Sequence, residues 1–261
     1  MPTPSERFFF ETQGYLVLER FLTEEHVRRL LTVLERVIQR RRCLQAAGEP
    51  CTGMTHMRGA STRIFYILGE DPALLELLDW PPLLPYLHEL LNEKPHHHAS
   101  DAIVEIGPLE RGMGWHRDGH DHGYQRFPPP IPLLQLKVGY YLSDMSEPGR
   151  GNLCVIPGSH RSTLRPDPED LQRRELFPGA VQLCAPPGSA ILFHNALWHS
   201  SGPWTRADGE RRMLYYAYEH PWMIASQEHW GYPQAFYQAL TPAQRSYFHG
   251  FLFDPPENRW G

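Results

Sequence analysis

Gly114-Trp115-His116-Arg117-Asp118-Gly119, answered much later in the chain by Ala196-Leu197-Trp198-His199-Ser200-Ser201-Gly202, sets a His-x-Asp pair and a distant histidine among short apolar runs. In an extended strand residues i and i+2 project to the same side, so His116 and Asp118 can grip one metal ion together. His199 must then be brought in by the fold. Two neutral imidazoles and one carboxylate are the set that holds non-haem Fe(II) on one face and leaves the opposite positions open for a bidentate co-substrate and dioxygen. His-x-Asp alone is common, so the surroundings carry the weight of the reading.

Those surroundings read as strands. From about residue 100 the chain breaks into short apolar runs between turn signals, the pattern of an all-β barrel or sandwich. The runs predict strands at 102–106, 134–142, 152–156, 180–184, 190–194 and 213–218. Pro157-Gly158-Ser159-His160 and Pro186-Pro187-Gly188-Ser189 read as turns. Before this tract the texture is helical: Val27, Leu30, Leu31, Leu34, Val37 and Ile38 recur at the 3.6-residue period. Thr23 is placed to cap that helix, with Leu22 able to staple onto Val27. Arg40-Arg41-Arg42 suits the negative end of the helix dipole as a solvated face. Further helix is expected over 72–78 and 83–91, broken at Trp80-Pro81-Pro82.

Composition narrows the function classes. The 261 residues fit one large domain: helical support over about 1–95, a β core over about 100–220 and an aromatic-rich tail over 221–261. With 25 basic against 30 acidic residues the net charge is -5, which argues against a nucleic-acid partner. No apolar run reaches spanning length, and Phe8-Phe9-Phe10 is too short for a signal-peptide core, so no membrane partner is expected. Cys43, Cys51, Cys154 and Cys184 form no Cys-x-x-Cys pair. Reduced thiols and a cytoplasmic location are the expectation. Prolines number 26, about one residue in ten against a usual ~5%, and exclude long helices where they cluster.

Five segments occur together and in order: 9–22 (Phe-Phe-Glu-Thr-Gln-Gly-Tyr-Leu-Val-Leu-Glu-Arg-Phe-Leu), Trp115-His116-Arg117-Asp118, Val155-Ile156-Pro157-Gly158-Ser159-His160, Pro187-Gly188-Ser189-Ala190 and His199-Ser200-Ser201-Gly202-Pro203. In this the chain, from about residue 9 to residue 219, resembles the phytanoyl-CoA dioxygenase family. The resemblance implies a mainly β fold with flanking helices around a double-stranded β-helix, a jelly-roll of the cupin-like kind. It also implies Fe(II), 2-oxoglutarate as co-substrate and O2, with His116, Asp118 and His199 as iron ligands. Hydroxylation of an aliphatic carbon in a small molecule, with succinate and CO2 as co-products, is the activity it implies.

Relatives place an arginine for the far carboxylate of 2-oxoglutarate shortly after the distal histidine, at a position that is Glu210 here. A one-residue insertion within 204–209 makes Arg211 the expected anchor and Arg212 the alternative, since adjacent strand residues face opposite ways. Ser201 matches the family's assisting hydroxyl. Residues 119–127 follow the ligand pair as a candidate lid, with His120 and His122 as lid or metal-adjacent residues. Arg117, Arg126, Arg150 and Arg161 hint at an anionic substrate. His96-His97-His98 is not read as a metal site, because three consecutive strand residues cannot all face one ion; lying beside Lys94-Pro95, it reads as a surface loop. The aromatics of the tail are expected to complete the core or a dimer contact. Asp118 argues against the family's halogenating branch, in which that carboxylate is lost. Two rival readings are a zinc-dependent hydrolase, from the density of His116, Asp118, His120, Asp121 and His122, and a non-catalytic relative binding a small molecule on the same barrel.

Overall fold

The structure is a computed structural model describing residues 1–49, 61–91, 94–109, 114–118, 127–128, 130–172, 175–223 and 232–248, and the backbone of 55–58. Its strands are β1 (Tyr15–Leu18), β2 (Thr55–Arg58), β3 (Ser61–Phe65), β4 (His96–Ile106), β5 (Gln135–Tyr141), β6 (Leu153–Val155), β7 (Val181–Gln182), β8 (Ala190–His194), β9 (His199–Ser201) and β10 (Glu210–Glu219). They form a seven-stranded sheet in the order β1-β8-β5-β10-β4-β3-β2 and a three-stranded sheet in the order β7-β6-β9. Every named pair is antiparallel. An isolated bridge between His116 and His199 adds a fourth position to the small sheet beside β9. The two facing sheets make the expected jelly-roll.

Period-two alternation gives the large sheet two different faces. Ala102 and Val104 of β4, Leu136, Val138 and Tyr140 of β5, and Leu214, Tyr216 and Tyr218 of β10 point to one side. There they join Val27, Leu30, Leu34, Val37 and Ile38 of the long helix α2 (Glu24–Ala47). Tyr141, Ile191, Phe193 and Met213 face the other way and meet Leu153 and Val155 of the small sheet. The candidate site residues lie between the sheets, on this second face.

Of the other helices, α1 (Pro4–Gln13), α3 (Pro72–Leu75), α4 (Leu84–Leu90) and, late in the chain, α6 (Gln234–Ala239) send side chains into the core of the first face, whereas α5 (Pro168–Gln172) packs Leu171 near Trp115 and Cys154 and α7 (Pro242–Arg245) buries none of its residues. Helix α1 was not anticipated, although Thr3-x-x-Glu6 forms a complete capping box at its start. Thr23 caps α2 as expected, its hydroxyl accepting from the His26 amide. Tyr232, Tyr237, Tyr247 and Phe248 join the core, whereas Trp222 is exposed and Trp230, Phe251 and Trp260 lie outside the described residues. Cys43, Cys154 and Cys184 are free thiols; Cys51 lies outside the described residues.

Two expectations fail here for identifiable reasons. Helix α2 continues past Arg40-Arg41-Arg42, so the run is not at its end, and the 3.6-residue period carries Arg41 onto the buried stripe after Val37 and Ile38. Arg41 is 1% exposed; its guanidinium donates to Glu70 Oε1 at 2.6 Å and to the Phe65 carbonyl at 2.9 Å. His96-His97-His98 is not a surface loop: it opens β4 opposite the end of β10, where the register shifts between Ala217 and Tyr218. That shift interrupts alternation and helps both His96 and His97 to be buried, with His97 against the ring of Phe248 at 5.2 Å.

His96 and His98 bracket the fully buried Glu219, with Nδ1 atoms 3.2 Å and 2.7 Å from its two carboxylate oxygens. Burial alone would raise the Glu219 carboxyl, but the hydrogen bonds from the two imidazoles outweigh it and hold the group down at about 2. Its folded value lies below the ordinary 4.5, so its contribution, about 3 kcal/mol, is present above pH 4.5 and lost as pH falls towards 2. Urea midpoints measured between pH 5 and pH 3 should therefore fall steeply in the wild type and more gently in Glu219→Gln.

Candidate metal centre

The two imidazoles are brought together by main-chain pairing. His116 N–H donates to the His199 carbonyl and His199 N–H to that of His116, both at 3.0 Å. The Asp118 amide donates to the Asn195 carbonyl at 2.9 Å, and the Asn195 side-chain oxygen accepts from the amides of Leu134 and Gln135. One ligand atom from each of His116, Asp118 and His199 lies within 4.8 Å of the others, the only such group of three among the described residues. His116 is exposed at the rim, and His199 is buried.

The donor chemistry fits a divalent metal. His116 Nδ1 lies 2.6 Å from the Gly114 carbonyl and His199 Nδ1 lies 2.8 Å from the Leu197 carbonyl. A carbonyl only accepts, so each Nδ1 carries the proton and each neutral ring keeps the lone pair on Nε2 for a metal. Burial, with help from His116, depresses the His199 imidazole to about 4 and keeps it neutral. Burial on its own would raise the Asp118 carboxyl, but Lys137, His199 and His116 hold it at about 2. Lys137 Nζ stands 3.7 Å from Asp118 Oδ2. Trp115 and Arg117 alternate to the other side, where Trp115 packs near Phe177 and Arg117 lies over the Trp198 ring.

A cavity of about 110 Å³ opens beside these groups, lined by Arg63, Asp101, Lys137 and Phe193 and by Ser201 and Tyr215. Arg211, 1% exposed, lies beyond them. Its Nη1 donates to Ser201 Oγ at 2.7 Å and to Glu105 Oε2 at 3.2 Å, and its Nη2 to the Tyr215 hydroxyl at 2.9 Å. Burial works against the charge of Arg211, and Tyr215, Glu105 and Tyr141 more than offset it. Arg212 faces the opposite side and pairs with Glu35 of α2 at 3.0 Å and Glu210 at 2.9 Å. Of the two arginines, only Arg211 is turned towards the cavity.

Other anticipated residues are elsewhere. Arg150 donates to the Asp144 carbonyl, Arg161 is exposed, and neither they nor Arg117 line the cavity. His120, Asp121, His122 and Arg126, with nearly all of the candidate lid, lie outside the described residues. Sequence reasoning passed over Glu105, Lys137 and Tyr215, although a lysine inside Leu134-Gln135-Leu136-Lys137-Val138 and a glutamate inside Ile103-Val104-Glu105 are charges in otherwise apolar strands. A larger cleft of about 660 Å³ beside α2 is lined mainly by charged side chains such as Arg28, Arg29 and Glu76, and holds none of these groups.

The sequence profile of the family described as Phytanoyl-CoA dioxygenase (PhyH) matches residues 10–213. The chain is 27% identical over 229 residues to an ectoine dioxygenase from Bordetella parapertussis, covering 76% of this chain and 71% of that one. Among solved structures it is similar to EctD from S. alaskensis with 2-oxoglutarate and 5-hydroxyectoine, at a TM-score of 0.65 and 26% identity over 84% of this chain and 76% of that one. HygX from Streptomyces hygroscopicus, with nickel, 2-oxoglutarate and hygromycin B bound, shares the fold at a TM-score of 0.68 and 18% identity over 85% and 89%. The jelly-roll leaves no place for the αββα layering of the zinc-hydrolase alternative.

The two arginines should differ sharply in their effect on stability. Arg211→Ala breaks the buried ion pair with Glu105 and is expected to cost about 3–5 kcal/mol, whereas Arg212→Ala, whose partners are largely solvated, should cost less than about 1 kcal/mol. Urea denaturation of the two variants checks the contrast.

Proposed function

The chain belongs to the phytanoyl-CoA dioxygenase family and is a non-haem iron, 2-oxoglutarate-dependent dioxygenase, and we propose that it hydroxylates an aliphatic carbon of a small molecule with iron held by His116, Asp118 and His199. The observation that carries this reading is the spending of both Nδ1 protons on backbone carbonyls, which reserves two Nε2 lone pairs beside one carboxylate. When bound, iron(II) with 2-oxoglutarate and dioxygen supplies the oxidising power for C–H hydroxylation, with succinate and carbon dioxide as co-products.

The protein's own groups have separable tasks. Arg211, fixed by Glu105, supplies the permanent positive charge for the distal carboxylate of 2-oxoglutarate, assisted by the Ser201 hydroxyl. Lys137 keeps Asp118 ionised and so ready to bind metal. Phe193, Leu153 and Ile103 wall the cavity with apolar surface and limit water near the reacting carbon. His116 at the exposed rim marks the side from which substrate reaches the centre. The relatives named for ectoine oxidation support a compact, polar small molecule as the kind of substrate such a site takes.

Anaerobic titration with iron(II) and then 2-oxoglutarate tests the reading through the weak visible charge-transfer band of the chelate. The wild type should show the band, His199→Ala should abolish it, and Arg211→Ala should raise the 2-oxoglutarate Kd by about ten- to a hundredfold through loss of the positive charge that serves the distal carboxylate. Iron binding without any band in the wild type would refute the assignment.

A further inference from the structure

Arg211 meets the cavity through two hydroxyls. Ser201 Oγ accepts from its Nη1 at 2.7 Å and Tyr215 OH accepts from its Nη2 at 2.9 Å, and both Ser201 and Tyr215 line the cavity. A hydroxyl that accepts through a lone pair still has its own proton to give. Neither hydroxyl donates to any group among the described residues. The carboxylate nearest Tyr215 in the strand pairing belongs to Asp101, directly opposite on β4, and it is drawn to Arg63 Nε at 2.8 Å. Burial raises the Tyr215 phenol above its ordinary range, so at neutral pH it remains a donor.

β10 dictates this arrangement. Arg211, Met213 and Tyr215 occupy alternate positions on one face of one strand, so the guanidinium and the phenol lean on each other from the same wall. Glu105, opposite Arg211 in register, holds the guanidinium from its far side. The result is two hydroxyl protons, both polarised by one buried cation, presented to one small space. Two convergent donors match the two oxygens of a carboxylate.

We propose that Tyr215 is a co-substrate-binding residue: its hydroxyl and that of Ser201 donate to the distal carboxylate of 2-oxoglutarate, and Arg211 acts on that carboxylate from behind them. This rests on the cofactor reading given above. The phenol thereby selects 2-oxo acids that carry a second carboxylate, because an acid ending in a methyl group would leave both half-buried donors without an acceptor.

The test compares wild type and Tyr215→Phe, each loaded anaerobically with iron(II), by calorimetric and charge-transfer titration with 2-oxoglutarate and with 2-oxobutanoate, which lacks the distal carboxylate. Tyr215→Phe is expected to raise the Kd for 2-oxoglutarate about tenfold or more while leaving that for 2-oxobutanoate unchanged. An unchanged Kd for 2-oxoglutarate, or an equal loss for both acids, overturns the proposal. A wild type that takes up iron but binds neither acid overturns the cofactor reading beneath it. The wild type alone gives a second reading, independent of whether the variant folds. A phenol that gains a carboxylate acceptor red-shifts its near-ultraviolet absorption, so adding 2-oxoglutarate should produce a tyrosine difference spectrum that 2-oxobutanoate does not. Identical difference spectra for the two acids would also count against Tyr215.

Discussion

The pair of main-chain hydrogen bonds exchanged by His116 and His199 is the constraint on which the centre depends. It joins two segments far apart in the chain, and it does so through backbone atoms, whose positions do not vary with side-chain rotamer. Once the bridge is made, each imidazole needs only one local bond to a carbonyl two residues earlier to fix its ring. Asp118 is fixed in the same manner, through the Asn195 carbonyl. The candidate ligand atoms are thus set largely by backbone geometry, and little side-chain entropy is left to be lost on binding.

The inner face of the large sheet carries an unusual load of charge for a jelly-roll interior. Asp101, Glu105, Lys137 and Arg211 all project from central strands into the space between the sheets. Each is matched: Arg63 to Asp101, Arg211 to Glu105, Lys137 to Asp118. Pairing of this kind is close to neutral for stability when intact and costly when one partner is removed. It therefore acts less as cement than as a device that keeps ions oriented in a small, partly dry space. The opposite face, packed on α2, is mainly apolar; its polar groups include tyrosine hydroxyls that reach backbone carbonyls, such as that of Tyr216 to Leu74, and Arg212, which pairs with Glu35 of α2.

Much of this was legible in the sequence because it follows from period and pattern. The strands over 102–106, 134–142 and 190–194 announced themselves as short apolar runs, and α2 by its stripe and its Thr23 cap. The association of His116, Asp118 and His199 was readable from the i, i+2 spacing and the accompanying motifs; the preference for Arg211 came from the family pattern of an arginine followed by an apolar strand, alternation requiring only that Arg211 and Arg212 face opposite ways. What escaped was anything decided by long-range register. His97 is buried because β10 slips register opposite it, and Arg41 because a helical stripe outlasts its hydrophobic residues. Glu105 finds Arg211 across 106 residues of chain. Local composition marks such positions only as charges in unexpected places.

The position of β10 has a consequence for how the chain comes into being. Last of the named strands in sequence, it lies in the interior of the large sheet, between β4 and β5, whereas β1, the first, lies at an edge. During synthesis β4 and β5 are therefore made long before the strand that separates them, and each must wait with an open row of amide and carbonyl groups. Sheet closure, the seating of Arg211 and the burial of Glu105 become one late event rather than successive ones. A ribosome-bound chain ending before residue 210 holds every iron-ligand candidate but not the wall behind them. Assembly of this kind is slow, dominated by distant contacts, and exposed to edge-to-edge pairing between nascent chains. The interval before β10 emerges is thus the stage of its life at which this protein most needs protection from its own neighbours.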